Sequence, residues 1–157
     1  MISVVIPAFN EERAGRTTVE AVRAALAKID IADAEIIVVD DGSSDRTAEE
    51  AEQAGAHVIR KPQNIGYGHS LKVGIRAANY DTIVIIDADG TYPTESIPDL
   101  VAQFRRGFDM VVGSRTGKFY RESWLKAPLR RVLQMLVEFT AGRSIPAPGG
   151  AIVERAM

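Results

Sequence analysis

Five short runs of β-branched residues, apolar at consecutive positions, alternate with longer amphipathic stretches, and this alternation restricts the chain to very few folds. The runs are Ile2 to Ile6, Glu35 to Val39, His57 to Ile59, Thr82 to Ile86 and Asp109 to Val112, rich in the residues that strands favour. Apolarity at consecutive positions, rather than at every second one, means burial on both faces of a sheet. The stretches between them, Glu11 to Lys28, Arg46 to Ala54, Ser70 to Asn79 and Glu95 to Arg106, have helical composition and spacing. Asn10 and Asp45 stand where N-caps are expected, and Gly55 and Gly107 where helices stop. Strand-helix alternation predicts an α/β fold: a single Rossmann-like nucleotide-binding domain with a mostly parallel sheet covered by helices.

After Gly113 the pattern changes to a polar loop, an amphipathic helix near Trp124 to Thr140, and a Pro/Gly-rich end, "SIPAPGGAIVERAM". No internal repeat or low-complexity tract interrupts the chain. At 157 residues and 46% hydrophobic it has material for one core and not for two. The formal charge of −2 argues against a nucleic-acid partner. The segment Arg105 to Arg143 is nevertheless locally basic, through Arg105, Arg106, Arg115, Lys118, Arg121, Lys126, Arg130, Arg131 and Arg143, and suits an anion or a solvated face. With no cysteine, disulfides and thiolate metal sites are excluded, which fits a reducing compartment. No basic segment precedes the first apolar run, and no stretch approaches the roughly 18 apolar residues of a membrane span. The expected location is the cytoplasm, or the cytoplasmic face of a membrane.

In a parallel sheet all C-terminal strand ends lie on one edge, so "PAFNEE", "DDGSSD" and "DADGTYP" converge on one rim, where ligands of open α/β sheets bind. Adjacent acids repel and resist desolvation, so each cluster needs a purpose. For "DDGSSD" and "NEE" the plainer reading is helix capping, by Ser43, Ser44 or Asp45 in the first case. Capping does not explain Asp87-Ala88-Asp89, because the next helix starts several residues later. A divalent cation does: two hard carboxylates suit Mg²⁺ or Mn²⁺, with the other positions left to water and phosphate. "NIGYGHS" reads as a strand-to-helix turn or as backbone opened for close approach to a ligand. His57 and His69 read as structural or solvated histidines.

Taken together, "VVIPAFNEE", "IIVVDDGSSDRT", "NIGYGHSLKVGI", "IIDADGTYP" and "MVVGSR", in this order, resemble the nucleotide-sugar glycosyltransferases of family 2, which have the GT-A fold. The resemblance covers residues 1 to about 140. Within the family the chain is most similar to the polyprenyl-phosphate sugar transferases, dolichyl-phosphate mannose synthase among them. The resemblance implies an inverting, metal-dependent hexosyltransferase that takes a GDP- or UDP-linked sugar and passes it to a polyprenyl phosphate. It implies that Pro7, Ala8, Asn10 and Glu12 line the base and ribose pocket, that Asp40 and Asp41 contact base or ribose, and that Gly66 and Ala88 belong to the donor site. Asp87 and Asp89 would hold Mg²⁺ or Mn²⁺ on the donor diphosphate, and Asp89 and Arg115 would be the catalytic pair. Arg115 and Arg130 would grip the acceptor phosphate.

Chemistry fits these roles. A carboxylate only accepts hydrogen bonds, which suits ribose hydroxyls or a base N–H. An acceptor phosphate, already ionised near neutral pH, needs no general base, whereas a hydroxyl acceptor does. After Arg115 the only carboxylates are Glu122, Glu138 and Glu154, without the paired acids of hydroxyl-using relatives, which favours the lipid phosphate. The apolar face of "PLRRVLQMLVEF" could pack on the sheet or rest on a membrane surface. The expected domain is 1–146, with 147–157 a disordered or unrelated tail. There Ala147 stands where relatives carry an acid, so a truncated or altered C-terminus is expected. A family 2 enzyme with a hydroxyl acceptor and a catalytically weak nucleotide-binding copy are the alternatives. A phosphorelay receiver, with Asp40 and Asp41, Asp87 and Ser114 as its acids and hydroxyl, is a distant one, because a strand and helix precede its acid-bearing strand and no lysine follows Lys126. A nicotinamide Rossmann enzyme is more distant still, lacking G-x-G-x-x-G after the first strand.

Overall fold

The computed structural model describes residues 1–31, 33–113 and 153–154. The chain divides into two compact units, Met1–Asp99 and Leu100–Met157. The first unit carries β1 (Ile2–Ala8), α1 (Glu12–Leu26), β2 (Ala34–Asp40), α2 (Thr47–Gln53), β3 (His57–Arg60), α3 (Tyr67–Ala77) and β4 (Ile83–Ile85). A 3₁₀ turn at Thr94–Ser96 then leads into α4 (Ile97–Phe104), which crosses the boundary between the units. In the second unit β5 (Met110–Val111) pairs antiparallel with β6 (Val153–Glu154), Met110 opposite Glu154 and Val111 opposite Val153. The stretch expected near Asp109 to Val112 is therefore a two-residue strand, and its described partner is β6. The amphipathic helix expected at 124–140 and the boundary expected near Pro146 lie outside the described residues.

The four strands of the first unit form one sheet in the order β3-β2-β1-β4, and every pairing in it is parallel. Every residue of β1 is buried, as the consecutive apolar run predicts for a strand with neighbours on both sides. Val5 and Val39 belong to one face; Val4, Ile6 and Val38 belong to the other, and all are 2% exposed or less. Each such side chain contributes about 1.5–3 kcal/mol on removal from water. On the Val5 face α3 lies very close. A Cβ added to Gly74 would sit 2.4 Å from Val5 Cγ1 and 3.1 Å from Val39 Cγ2, so the missing side chain is what lets this helix reach the sheet.

Helices α1 and α2 pack against each other, with Arg16 of α1 bonded to Glu50 and Gln53 of α2, and each helix buries small or β-branched residues, Val19 and Val22 on one, Ala48 and Ala51 on the other. The expected stop after α2 is present: Gly55 has φ +83, its N–H bonds Glu52 O at 2.9 Å and the Ala56 N–H bonds Ala51 O at 3.1 Å, the two bonds of a Schellman turn. Gly107, φ +96, likewise follows α4. Helix α3 begins at Tyr67 rather than near Ser70, because the two glycines that flank Tyr67 hide the helical pattern.

Register sets the functional edge. β1 pairs with β2 from Ile2↔Ala34 to Ala8↔Asp40, so the loops after Ala8 and after Asp40 leave the sheet side by side. β4 pairs through Val5↔Ile85, and the Ile86 N–H bonds Val5 O at 3.2 Å. Asp87 and Asp89 follow at once on the same edge.

Candidate active site

The loops after β1 and β2 cap each other's helices. Asn10, at φ +56, does not cap α1 with its side chain. Its Oδ1 instead accepts the Ser44 N–H at 2.9 Å, while its own N–H donates to Ser43 Oγ at 2.9 Å. The first N–H groups of α1 go across the gap: Glu11 N–H to Thr47 Oγ1 at 2.8 Å and Glu12 N–H to Asp45 Oδ2 at 3.2 Å. The return bond runs from the Arg46 N–H to Glu12 Oε2 at 3.3 Å. Asp45 Oδ1 also accepts the Thr47 N–H at 3.0 Å. Much of "DDGSSD" and "NEE" is thus a mutual clamp that meets the orphan donors of two helices.

The other two acids of the cluster are buried. Asp40 accepts the Ser43 N–H at 3.0 Å. Asp41 accepts the Lys61 ammonium and the Ile65 N–H (2.9 Å) on Oδ1, and the Gly66 N–H (2.8 Å) on Oδ2. Lys61 Nζ also reaches Ser70 Oγ at 3.2 Å. Burial pushes the Asp41 carboxyl up, but the Ile65 N–H, the Lys61 ammonium and the Gly66 N–H together bring it below the usual carboxylate range. Gly42 makes this crossing fit: φ is +75, and a Cβ there would meet the Gln63 backbone at 2.5 Å.

Asp87 and Asp89 face the same hollow. The Tyr67 hydroxyl donates to Asp87 Oδ1 at 2.8 Å. Burial, and then this bond, push the Tyr67 phenol up to about 12. Asp89 Oδ1 accepts the Thr91 N–H at 2.9 Å and the Thr91 hydroxyl at 2.8 Å. Between the acids, the Ala88 carbonyl accepts the Thr18 hydroxyl of α1 at 3.2 Å. Among the described residues no group of three or more His, Cys, Asp or Glu could hold a metal ion. A pair of carboxylates, each with one oxygen left over, fits a different arrangement, in which Mg²⁺ or Mn²⁺ takes one or two acids plus phosphate oxygens and water.

These pieces enclose a pocket of about 340 Å³, lined by Pro7, Ala8, Phe9, Glu11, Asp41, Asn64, Gly66, Tyr67, Ser70, Asp87, Ala88 and Asp89. Of the residues expected at the donor site, Pro7, Ala8, Asp41, Gly66, Asp87, Ala88 and Asp89 are brought together here. Asn10, Glu12 and Asp40 are not among the lining residues: the Asn10 and Glu12 side chains bond the loop after β2, and the Asp40 carboxylate bonds the Ser43 N–H. Phe9, Glu11 and Tyr67 line the pocket without having been singled out. Glu11 is one residue from the expected Glu12, and burial, then the charges of Asp89 and Asp45, raise its carboxyl. Both histidines are exposed. Arg115 and Arg130 lie outside the described residues.

The family model for Glycosyl transferase family 2 matches residues 3–151. The chain is 34% identical over 152 residues to the undecaprenyl-phosphate 4-deoxy-4-formamido-L-arabinose transferase of Enterobacter sp. (strain 638), covering 92% of this chain and 45% of that protein. It is 35% identical over 150 residues to the protein of the same name from Serratia proteamaculans (strain 568), with the same coverage. The chain spans about half the length of the curated relatives it matches. Among solved structures it resembles glucosyl-3-phosphoglycerate synthase from Mycobacterium tuberculosis in complex with Mn²⁺, uridine diphosphate and phosphoglyceric acid. There the TM-score is 0.68 at 28% identity, over 90% of this chain and 51% of that one. The sheet is that of the GT-A fold, and the chain belongs to glycosyl transferase family 2.

Proposed function

We propose that this chain supplies the donor half of an inverting transferase that moves a sugar from a nucleoside diphosphate to a polyprenyl phosphate. One observation carries the reading: Asp87 and Asp89 share a single pocket with Pro7, Ala8 and Gly66, so a diphosphate held by the acids leaves its nucleoside directed at the ends of β1 and β2. Relatives named as undecaprenyl-phosphate sugar transferases support the acceptor class, and a neighbour crystallised with Mn²⁺ and uridine diphosphate supports the donor class.

In this reading Asp41 holds the Asn64–Gly66 loop against the nucleotide through its three internal bonds, and Glu11 offers an acceptor to ribose hydroxyls. Asp87 and Asp89 would hold Mg²⁺ or Mn²⁺, which would supply positive charge against the negative charge growing on the departing diphosphate. An acceptor phosphate oxygen attacks the anomeric carbon from the far side. The bond from that carbon to the diphosphate oxygen breaks, and the electron pair leaves with the nucleoside diphosphate. Arg115 and Arg130 hold the acceptor phosphate, the planar guanidinium gripping it through paired hydrogen bonds. No helix among the described residues is long and apolar enough to cross a membrane.

The test is a melting-temperature panel of UDP, GDP, ADP and CDP with and without Mn²⁺, followed by sugar transfer to undecaprenyl phosphate or to 3-phosphoglycerate. One base should stand out with Mn²⁺, because a ligand that binds only the folded state stabilises it by mass action. Transfer to 3-phosphoglycerate but not to the lipid phosphate would replace the acceptor assignment. The absence of any Mn²⁺-dependent stabilisation would remove the donor assignment.

A further inference from the structure

Tyr67 is the first residue of α3, half-exposed at 52%, and its ring lines the same pocket as both acids of the pair. Its position is fixed from behind. Gly66, one residue earlier, turns at φ +105 and gives its N–H to Asp41. Asp41 is held in turn by the buried Lys61 ammonium and the Ile65 N–H. The Gly66 carbonyl accepts the N–H groups of His69 and Ser70, each at 3.1 Å, so the turn that aims Tyr67 is bonded on both sides. From this base the phenol crosses to β4's end and donates to Asp87 Oδ1 at 2.8 Å.

The two acids are engaged in the same manner. Asp89 has its Oδ1 occupied by the Thr91 N–H and hydroxyl, as Asp87 has its Oδ1 occupied by Tyr67. In each case Oδ2 receives no hydrogen bond from a described residue. A carboxylate that donors hold by one oxygen presents the other in a fixed direction, which suits the single-oxygen coordination that small octahedral cations require. Thr91 lies two residues from Asp89 and is a local device. Asp87 has no such neighbour, and its orienting donor comes from another element.

We propose that the Tyr67 hydroxyl is a positioning group for Asp87: it holds Oδ1, so that Oδ2 is the oxygen offered to the divalent cation that accompanies the donor diphosphate. The assignment rests on the donor-binding role proposed above, and concerns how one acid of that site is aimed. Partners that orient metal-binding side chains typically change metal affinity about 10- to 100-fold when removed. The lower end of that range applies to a half-exposed hydroxyl.

The experiment is titration calorimetry of UDP and GDP into the full chain and into Tyr67→Phe, each with Mn²⁺ and with the metal chelated. Tyr67→Phe keeps the ring and removes only the donor. The expected result is about a tenfold loss of the Mn²⁺-dependent affinity, with metal-free affinity unchanged within about twofold. Equal affinities of variant and parent in Mn²⁺ would overturn the assignment. An equal loss with and without metal would also overturn it, because the hydroxyl would then serve the nucleotide or the loop rather than the acid. A parent chain that binds neither nucleotide more tightly with Mn²⁺ would instead refute the donor-site reading itself.

Discussion

Lys61, just past the end of β3, reaches Asp41, just past the end of β2, and the two side chains are only 6% and 5% exposed. Removing one member of a buried pair leaves the other charge stranded, which costs about 3–5 kcal/mol. Lys61→Met should cost about 3 kcal/mol, the lower end, because Asp41 keeps two backbone N–H partners. Urea denaturation measures this. A loss below about 0.5 kcal/mol, the scale of a surface substitution, would show that the pair does not support the loop.

The same acid sets a pH dependence. Asp41's carboxyl is held below its ordinary 3.8 in the folded chain, so the folded state binds that proton less readily than the unfolded one. Its contribution is complete above the unfolded value and lost as pH falls through the lower folded value. The stability gap between parent and Asp41→Asn should therefore be widest above about pH 5 and begin to narrow as pH falls below about 4. A gap that stays constant from pH 3 to 7 would contradict the depressed carboxyl.

Asp89→Asn retains an Oδ1 that can accept from Thr91, so the loop after β4 should keep its shape while an anionic ligand disappears. We expect an unchanged melting temperature and a loss of at least about tenfold in Mn²⁺-dependent nucleoside diphosphate affinity. Calorimetry that gives the same affinity for variant and parent in Mn²⁺ would remove Asp89 from the cation site.

Gly74→Ala tests how α3 meets the sheet. Alanine favours a helix over glycine by about 1 kcal/mol, yet its Cβ would fall 2.4 Å from Val5 Cγ1, and overpacking costs about 1–3 kcal/mol. The variant should be less stable by up to about 2 kcal/mol, and the combined loss with Val5→Ala should be smaller than the sum of the two single losses. A stabilised single variant would mean that the helix can shift away freely.

In an enzyme carrying the complete acceptor side, Arg115→Ala should raise the acceptor KM or lower kcat while leaving nucleotide affinity near that of the parent. Steady-state kinetics alongside calorimetry separates the two effects. Weakened Mn²⁺-dependent nucleotide binding with intact acceptor kinetics would place Arg115 on the donor diphosphate.

Strands β1 to β4 and the four helices were legible because consecutive Val and Ile, and the amphipathic stretches between, act through local sequence. The convergence of three loops followed from parallelism alone. Less legible were the bonds that join distant loops. Asn10 has the chemistry of an N-cap, but its left-handed backbone turns the side chain to Ser44, and α1 is capped from Thr47 and Asp45. Asp41 is expected from the resemblance to contact base or ribose; that its carboxylate is also bonded by Lys61, Ile65 and Gly66, twenty or more residues away, is not visible in "DDG". Glu11 and Glu12 are equivalent in the sequence, and only the helix start decides which faces the pocket. Tyr67 was hidden between two glycines that made its surroundings read as a loop.

The central position of β1 has a consequence for the order in which the pocket can come into being. Its partner β2 follows after one helix, whereas β4 must return across the span from Ser3 to Ile83 to take the other side. Closing so long a loop costs entropy that local contacts do not repay. The wall built on β1 to β3 can form while the chain is short, but Asp87 and Asp89 arrive only with β4, the last parallel strand among the described residues. A nucleotide-metal complex bridging the two walls would thus favour the closed sheet during folding as well as occupy it afterwards.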